Sequence, residues 1–277
     1  MWKSLAIGVG AALGFAFLLI GIANSRFDHQ TDGLVNALLA AAGSEQHVVA
    51  EEDLMGLPVP VQQWLRNSGI LGQMIPRTIR LQQRGEIRLG PDQPWMPFRA
   101  DQYYTIDPIA FVWRVSAIAA PGIFIRGVDS LIDGTGHMVM KPLALFSVVD
   151  ASGPTLDQGT ALRYLQEIVW FPFAALSPAI DWQPIDNRSA RATLTLETIS
   201  VSGAFFFDEE GQIVDFRALR YRDDTLEWWR TPMTSHRELN SALVPTEGEG
   251  VWGTDDAPFV YIRVHLTGLE YDIAETY

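Results

Sequence analysis

The chain has no cysteine. That excludes disulfides, thiolate metal sites, a cysteine nucleophile and lipid attachment through an N-terminal cysteine, and it leaves the redox compartment open. Lysine is almost missing: Lys3 and Lys141 stand alone among 20 basic residues. Acids outnumber bases, 33 to 20, for a formal charge of −13. The clustered cationic surface that nucleic acid requires is therefore not available. Catalytic signatures are lacking as well. There is no G-x-S-x-G, and Ser152 sits in Asp150-Ala151-Ser152-Gly153, a sequence suited to turn and capping chemistry. No glycine-rich phosphate loop follows a strand and opens a helix. The histidines (His29, His47, His137, His236 and His265) fall in no metal-ligand spacing, and Asp133-Gly134-Thr135-Gly136 lacks the alternating acids of a calcium loop, so neither metal nor cofactor is expected.

Apolar residues are abundant, at 48% of the chain, with 9 Trp, 7 Tyr and 14 Phe, enough for a sizeable core. Ser4 to Ala23 carries no charge. Helical rise makes that run about as long as the ~30 Å hydrocarbon core of a bilayer. Lys3 precedes it, while Arg26 and Asp28 follow and nearly cancel, which favours the N-terminus inside and the remainder outside. Cleavage after Gly21-Ile22-Ala23 is the rival reading, but the apolar run exceeds that of a signal peptide. The expectation is a single-pass anchor in the inner (plasma) membrane, with the bilayer as partner through residues 4–23 and an extracytoplasmic domain behind it.

Three regions follow from the patterning: an anchor over 1–27, a helical segment over 28–75, and one β-rich domain over 76–277 with an inserted helix at about 156–176. Leu34, Leu38 and Ala41 share a helical face within 30–43, and Pro58 opens a second short helix through Arg66 with Val61, Trp64 and Leu65 on its apolar side. From Thr78 the period becomes two. Ile79, Leu81, Gln83, Gly85 and Ile87 alternate with Arg80, Gln82, Arg84, Glu86 and Arg88. Strands are expected at 98–106, 110–119, 122–132, 137–141, 191–197, 200–207, 212–222, 226–240, 243–245, 248–253 and 259–271. Leu143–Val149 reads as a strand or a buried bridge. Short turns such as Asp133-Gly134 and Asp208-Glu209-Glu210-Gly211 connect them, so the sheet of about eleven strands is antiparallel.

The inserted helix interrupts this alternation. Leu162, Leu165 and Val169 form one face and Ala161, Tyr164, Ile168 and Phe171 another beside it. A helix with so wide an apolar arc is buried on more than one side. Pro172 ends or kinks it. Arg163 and Glu167 form an i, i+4 pair.

The runs FRADQYYTIDPIAFVWRV, VVDASGPTLDQGTALRYLQEIVWFP, SARATLTLE, VSGAFFFDEEG and RYRDD resemble those of an uncharacterised bacterial family of membrane-anchored proteins, a domain of unknown function, over about residues 58–271. The resemblance implies a curved antiparallel sheet, a half-barrel, covered by the central helix and short N-terminal helices, as in periplasmic lipoprotein carriers and related lipid-binding half-barrels. It supplies no activity.

Aromatic and polar residues that gather on or near the central helix suggest a pocket for a lipid or other hydrophobic molecule: Gln102, Tyr104, Trp113, Asp157, Gln158, Arg163, Tyr164, Glu167 and Trp170. The expected function is non-catalytic binding of such a ligand. Two other readings are an enzyme using Asp129, Asp150, Asp157 or Glu167 beside Arg163, and a structural partner in an envelope complex that presents an exposed apolar patch.

Overall fold

A computed structural model describes the backbone of residues 2–44 and 46–277 and the side chains of residues 14–44 and 46–277. Residues 4–13 of the expected membrane span thus have no described side chains. Among the described residues no helix is long and apolar enough to cross a membrane.

Among the described residues the main elements are three α-helices and a 14-stranded sheet: α1 (Trp2–Ala40), α2 (Val59–Asn67), β1 (Thr78–Ile87), β2 (Met96–Thr105), β3 (Ala110–Ala120), β4 (Ile123–Ile132), β5 (Thr135–Pro142), β6 (Val149–Ser152), α3 (Pro154–Glu167), β7 (Ile180–Asp186), β8 (Ser189–Thr195), β9 (Ser200–Phe207), β10 (Ile213–Arg222), β11 (Thr225–Arg230), β12 (Met233–Leu239), β13 (Ala242–Trp252) and β14 (Phe259–Tyr271). Every pairing is antiparallel. The order is β6-β5-β4-β3-β2-β1-β14-β13-β11-β10-β9-β8-β7, with β12 paired to β13. The chain therefore starts mid-sheet, winds out to one edge at β6, crosses through α3 to the opposite edge at β7, and winds back until β14 lies beside β1.

The sheet is strongly bent. Eight strand spacings of about 4.8 Å separate β5 from β10, roughly 38 Å if flat, and a helix the length of α3 spans only about 21 Å. Yet neighbouring residues of α3 touch both arms. The Asp157 carboxylate accepts the Gly136 N–H of β5 at 2.7 Å. The Gln158 amide donates to Leu219 O of β10 at 2.8 Å and accepts from Tyr221 N at 3.1 Å. The sheet wraps around α3, which fills the concavity at that end.

The two faces are covered differently. Tyr104, Phe111, Leu131 and Gly136 lie in register across β2 to β5 on the concave side, under α3. Tyr103, Val112, Val128 and Val139 face the other way and pack with Phe27, Val35, Leu38 and Leu39 of α1. This corrects two expectations. The N-terminal helical segment is not a separate short helix at 30–43 but part of one 39-residue helix, and it covers the convex face, not the concave one. No proline or terminating glycine interrupts residues 24–40, and docking on the sheet carries the helix through. Of the N-terminal helices α2 lies with the concave core, together with Leu54 of the 3-10 turn Glu51–Leu54, and Trp64 packs there against Trp182, Phe205 and Phe207.

The strand set is also corrected. The expected 226–240 strand is two, β11 and β12, divided at Thr231-Pro232, because proline removes a ladder donor. The 243–245 and 248–253 pieces are one strand, β13. β7 was not expected; Pro184 weakens its strand pattern, and the sheet tolerates it at an edge. Residues 143–148 form neither strand nor buried bridge but a loop with Leu145, Phe146 and Val148 exposed, turned by left-handed Leu143 and Ala144. The long inserted helix is α-helical only to Glu167; two 3-10 turns, Ile168–Trp170 and Pro172–Leu176, complete the segment around Pro172.

Candidate functional site: a buried ion cluster under the central helix

α3 begins at Gly153, whose φ of 113° is open only to glycine, with Pro154 at the first helical position. Its approach to the sheet depends on Gly136. A Cβ there would stand 2.6 Å from Thr160 Oγ1 and 3.0 Å from the Leu156 carbonyl. This close contact sets Arg163 and Glu167, one and two turns further on, over the middle of the concave face.

Five side chains meet there. Arg163 Nε donates to Glu167 Oε1 at 2.8 Å, and Nη1 donates to Asp129 Oδ2 at 2.7 Å. The second oxygen of Glu167 accepts from Gln102 Nε2 at 2.8 Å and from the Tyr104 hydroxyl at 2.9 Å. Arg163 Nη2 reaches Gln102 Oε1 at 3.2 Å. Gln83 extends the network: Trp113 Nε1 donates to its oxygen at 2.9 Å, and its own amide faces Gln102 Oε1 at 3.4 Å. The Arg163 guanidinium lies over the Trp113 and Phe111 rings, 4.7 and 5.1 Å from their centroids. Asp129 is 1% exposed and Glu167 4%.

Burial dominates the electrostatics. It pushes the Asp129 and Glu167 carboxyls above their ordinary values, while Arg163 and the hydrogen-bond donors pull the other way. The reverse effect holds Arg163 charged: the two carboxylates outweigh its desolvation and raise its value. Burial also lifts the Tyr104 and Tyr164 phenols, so both stay protonated. The cluster is a fixed set of paired charges in an apolar surround. Asp129 Oδ1 is its one buried oxygen without a partner, and it feels the positive field of Arg220.

Of the residues marked from the sequence, Gln102, Tyr104, Trp113, Arg163 and Glu167 come together here. Tyr164 lies alongside, its hydroxyl donating to Thr105 O at 3.0 Å. Trp170 is further along the chain, bonded through Nε1 to Pro245 O at 3.1 Å. Asp157 and Gln158 are the clasp between the two arms. Asp150, weighed as a catalytic acid, lies apart on the surface, 2.9 Å from His137 Nε2. Gln83 was missed, although its signal was visible: it is the one polar residue with a long side chain on the inward phase of β1.

Side chains fill the space beneath α3. Leu162, Tyr164, Leu165, Ile168, Val169 and Phe171 are all fully buried. Two surface depressions lie elsewhere. One, of about 380 Å³, runs between Gly85, Thr234, Glu247, Glu249, Arg263 and His265; the other, of about 190 Å³, is bordered by Arg217, Trp228, Arg230 and Asp255. No residue of the ion cluster lines either. Among the described residues no group of histidine and acidic side chains could hold a metal ion.

Beyond α3 the concave face continues as apolar rows. Ile87 lies in register with Met96 on one side and Ile262 on the other. Phe98, Ala117 and Ile125 form the next row, and Gly127 pairs with Met140 below it. Ile87, Met96, Ile125, Met140, Phe259 and Ile262 are all half-buried, and all but Ile125 pack against the main core cluster.

No curated protein matches the chain. Solved structures similar to it include a DUF1329 family protein from Desulfovibrio piger (9% identity, 79% of this chain and 95% of that one, TM-score 0.47). They also include a LolA superfamily protein from Nitrosomonas europaea (8% identity, 76% and 93%, TM-score 0.46) and a beta-barrel-like protein of domain of unknown function DUF1849 from Brucella abortus (11% identity, 71% and 98%, TM-score 0.27). A family model matches residues 47–264, and the chain belongs to that family, the family of unknown function DUF6544.

Proposed function

We propose that this protein is a non-catalytic binding protein for a hydrophobic molecule, held at the inner membrane by its N-terminal segment with the β domain outside the cytoplasm. The observation that carries the reading is the open end of the concave face. Rows of half-buried apolar side chains continue past α3, packed against the core on one side and partly open to solvent on the other. The ligand lies along Ile87, Met96, Ile125, Met140 and Ile262. Beneath it Trp113, Gln102, Tyr104, Arg163 and Glu167 form a rigid polar floor, with Tyr164, Trp170, Asp157 and Gln158 fixing α3 in place. Burial of an acyl chain at roughly 0.8 kcal/mol per CH₂ supplies affinity without any reacting group. The Asp129 and Glu167 carboxylates are paired with Arg163 and closed off from both surface depressions, which disfavours the acid–base reading.

The test is titration of the delipidated chain in detergent with a dansyl-labelled long-chain fatty acid. Saturable enhancement of dansyl fluorescence is expected. Ile87→Glu or Met140→Glu, which place a charge in the apolar rows, should weaken it by about tenfold or more, equivalent to about 1.4 kcal/mol. Absence of saturable binding overturns the proposal.

A further inference from the structure

We infer that the β3–β4 and β5–β6 loops form a second membrane-contact surface beside the N-terminal helix, so that the open end of the half-barrel faces the bilayer. The proposal rests on the anchoring reading for the direction of α1, and on the geometry of the loops for everything else.

α1 runs along the convex face in step with the strands. Asp32 pairs with Arg114, and one turn earlier Asp28 pairs with Arg126. Asn24 accepts from Arg126 Nη1 at 3.1 Å and donates to Leu143 O at 3.2 Å. Each four-residue step along the helix advances about 6 Å, close to the rise of two strand residues. One more turn brings Ile20 level with the Ile118–Phe124 pair at the end of the β3–β4 hairpin. Phe15, Phe17, Leu18 and Leu19 then lie beyond the hairpin, all exposed.

Apolar side chains crowd the same level. Ile118, Ile123 and Phe124 are each 43% exposed, and Leu145, Phe146 and Val148 are 46%, 60% and 55% exposed. Neither stretch, 115–125 or 142–149, contains a charged residue. The two loops are one unit: Leu143 N donates to Phe124 O at 2.7 Å and Val148 N to Met140 O at 2.8 Å. Six exposed apolar side chains on a braced double loop form a patch of the kind soluble surfaces avoid. Lys141, opposite Arg126 across β4 and β5, borders it with positive charge, while Arg126 itself is paired with Asp28.

Charge selects the occupant. The other loops at this end carry Asp92, Asp223-Asp224 and Asp255-Asp256, which disfavour an anionic lipid surface. The neutral loops are those next to α1, where a helix entering the bilayer would bring the membrane plane. A lipid interface matches an uncharged apolar patch with a basic border, continuous with an exposed apolar helix. The half-buried rows from Ile125 to Ile87 then open toward the acyl chains.

The absence of cysteine makes the test direct. Single substitutions I123C, F146C, F17C and E209C, in the full chain, are labelled with NBD and reconstituted into phosphatidylethanolamine–phosphatidylglycerol vesicles containing nitroxide-labelled phosphatidylcholine. Glu209 lies in the β9–β10 turn at the opposite end of the domain. All four sites are exposed or on the unpacked helix, and far-UV circular dichroism checks the fold of each variant. The expected result is loss of NBD fluorescence at Ile123, Phe146 and Phe17 and none at Glu209. Loss at Phe17 alone overturns this inference and leaves the anchor standing. Loss at none of the sites overturns both. NBD at Phe146 that is shielded from water but not quenched, and self-quenches as protein-to-lipid ratio rises, assigns the patch to a second copy and overturns the inference as well.

Discussion

Arg163 holds two carboxylates that would otherwise be buried alone. Removing one partner from a buried ion pair leaves an uncompensated charge, at a cost of about 3–5 kcal/mol. Arg163→Met should destabilise the domain by that amount in urea titration, and Glu167→Gln by less, since the amide keeps its contacts with Gln102 and Tyr104. In a double-mutant cycle the two should couple, because Glu167→Gln removes one of the charges that Arg163→Met strands. The pH dependence has a definite sign. Asp129 and Glu167 already sit above their ordinary values, and without Arg163 both rise further. The folded variant then retains protons that the unfolded chain releases near pH ~4. Its stability is fully present below that pH and is lost as pH rises toward neutrality. The deficit relative to the parent should therefore be smallest in acid. A deficit independent of pH would mean that Arg163 acts through packing on Trp113 and Phe111 and not through charge.

At the scale of elements, α3 is the member that joins the arms. It is clasped at its N-terminus by Asp157 to β5 and Gln158 to β10, and it lies against Gly136 with no room for a methyl group. Gly136→Ala should push Thr160 and the Leu156 carbonyl away from β5 and cost about 1–3 kcal/mol by overpacking, measured as a shift in the urea midpoint with unchanged slope. A neutral result would show that the clasp, and not the close approach, fixes α3. The sequence made this helix legible through its double apolar face and Pro172, and the wide arc correctly implied burial on more than one side. What covers the second face was not legible. Both faces meet arms of the same curved sheet, and no local pattern reports how far a sheet bends.

Across the whole molecule, the chain order makes the two arms interdependent. β1 and β14, from opposite ends of the domain sequence, pair along their lengths, and α3 spans the gap between edges β6 and β7. One continuous apolar cluster includes Tyr104 and Phe111 in one arm and Phe205 and Phe216 in the other. Unfolding should accordingly be a single transition, with tryptophan fluorescence and far-UV circular dichroism coinciding. Separate transitions would mean that the arms are independent units joined only by α3. Trp113 and Trp182, one in each arm, make fluorescence sensitive to both.

Alternation, turn residues and proline positions determined the antiparallel class, most strands and the interrupting helix, because side-chain period is a local property of the backbone. They also placed Gln102, Tyr104, Arg163 and Glu167 among the residues of interest, since polar groups on apolar faces stand out in any pattern. Local pattern failed where the outcome depended on what lies opposite. An edge strand can carry Pro184, an apolar run at 143–149 can be an exposed loop, and an amphipathic helix can dock on either side of a sheet. Tertiary structure alone decided that α1 takes the convex face, that Asp129 from β4 completes the pair on α3, and that the space expected to hold a ligand beneath the helix is filled by its own side chains. The reason is the bend of the sheet, which brings β5 and β10 to adjacent residues of one helix although they lie far apart in both sequence and strand order.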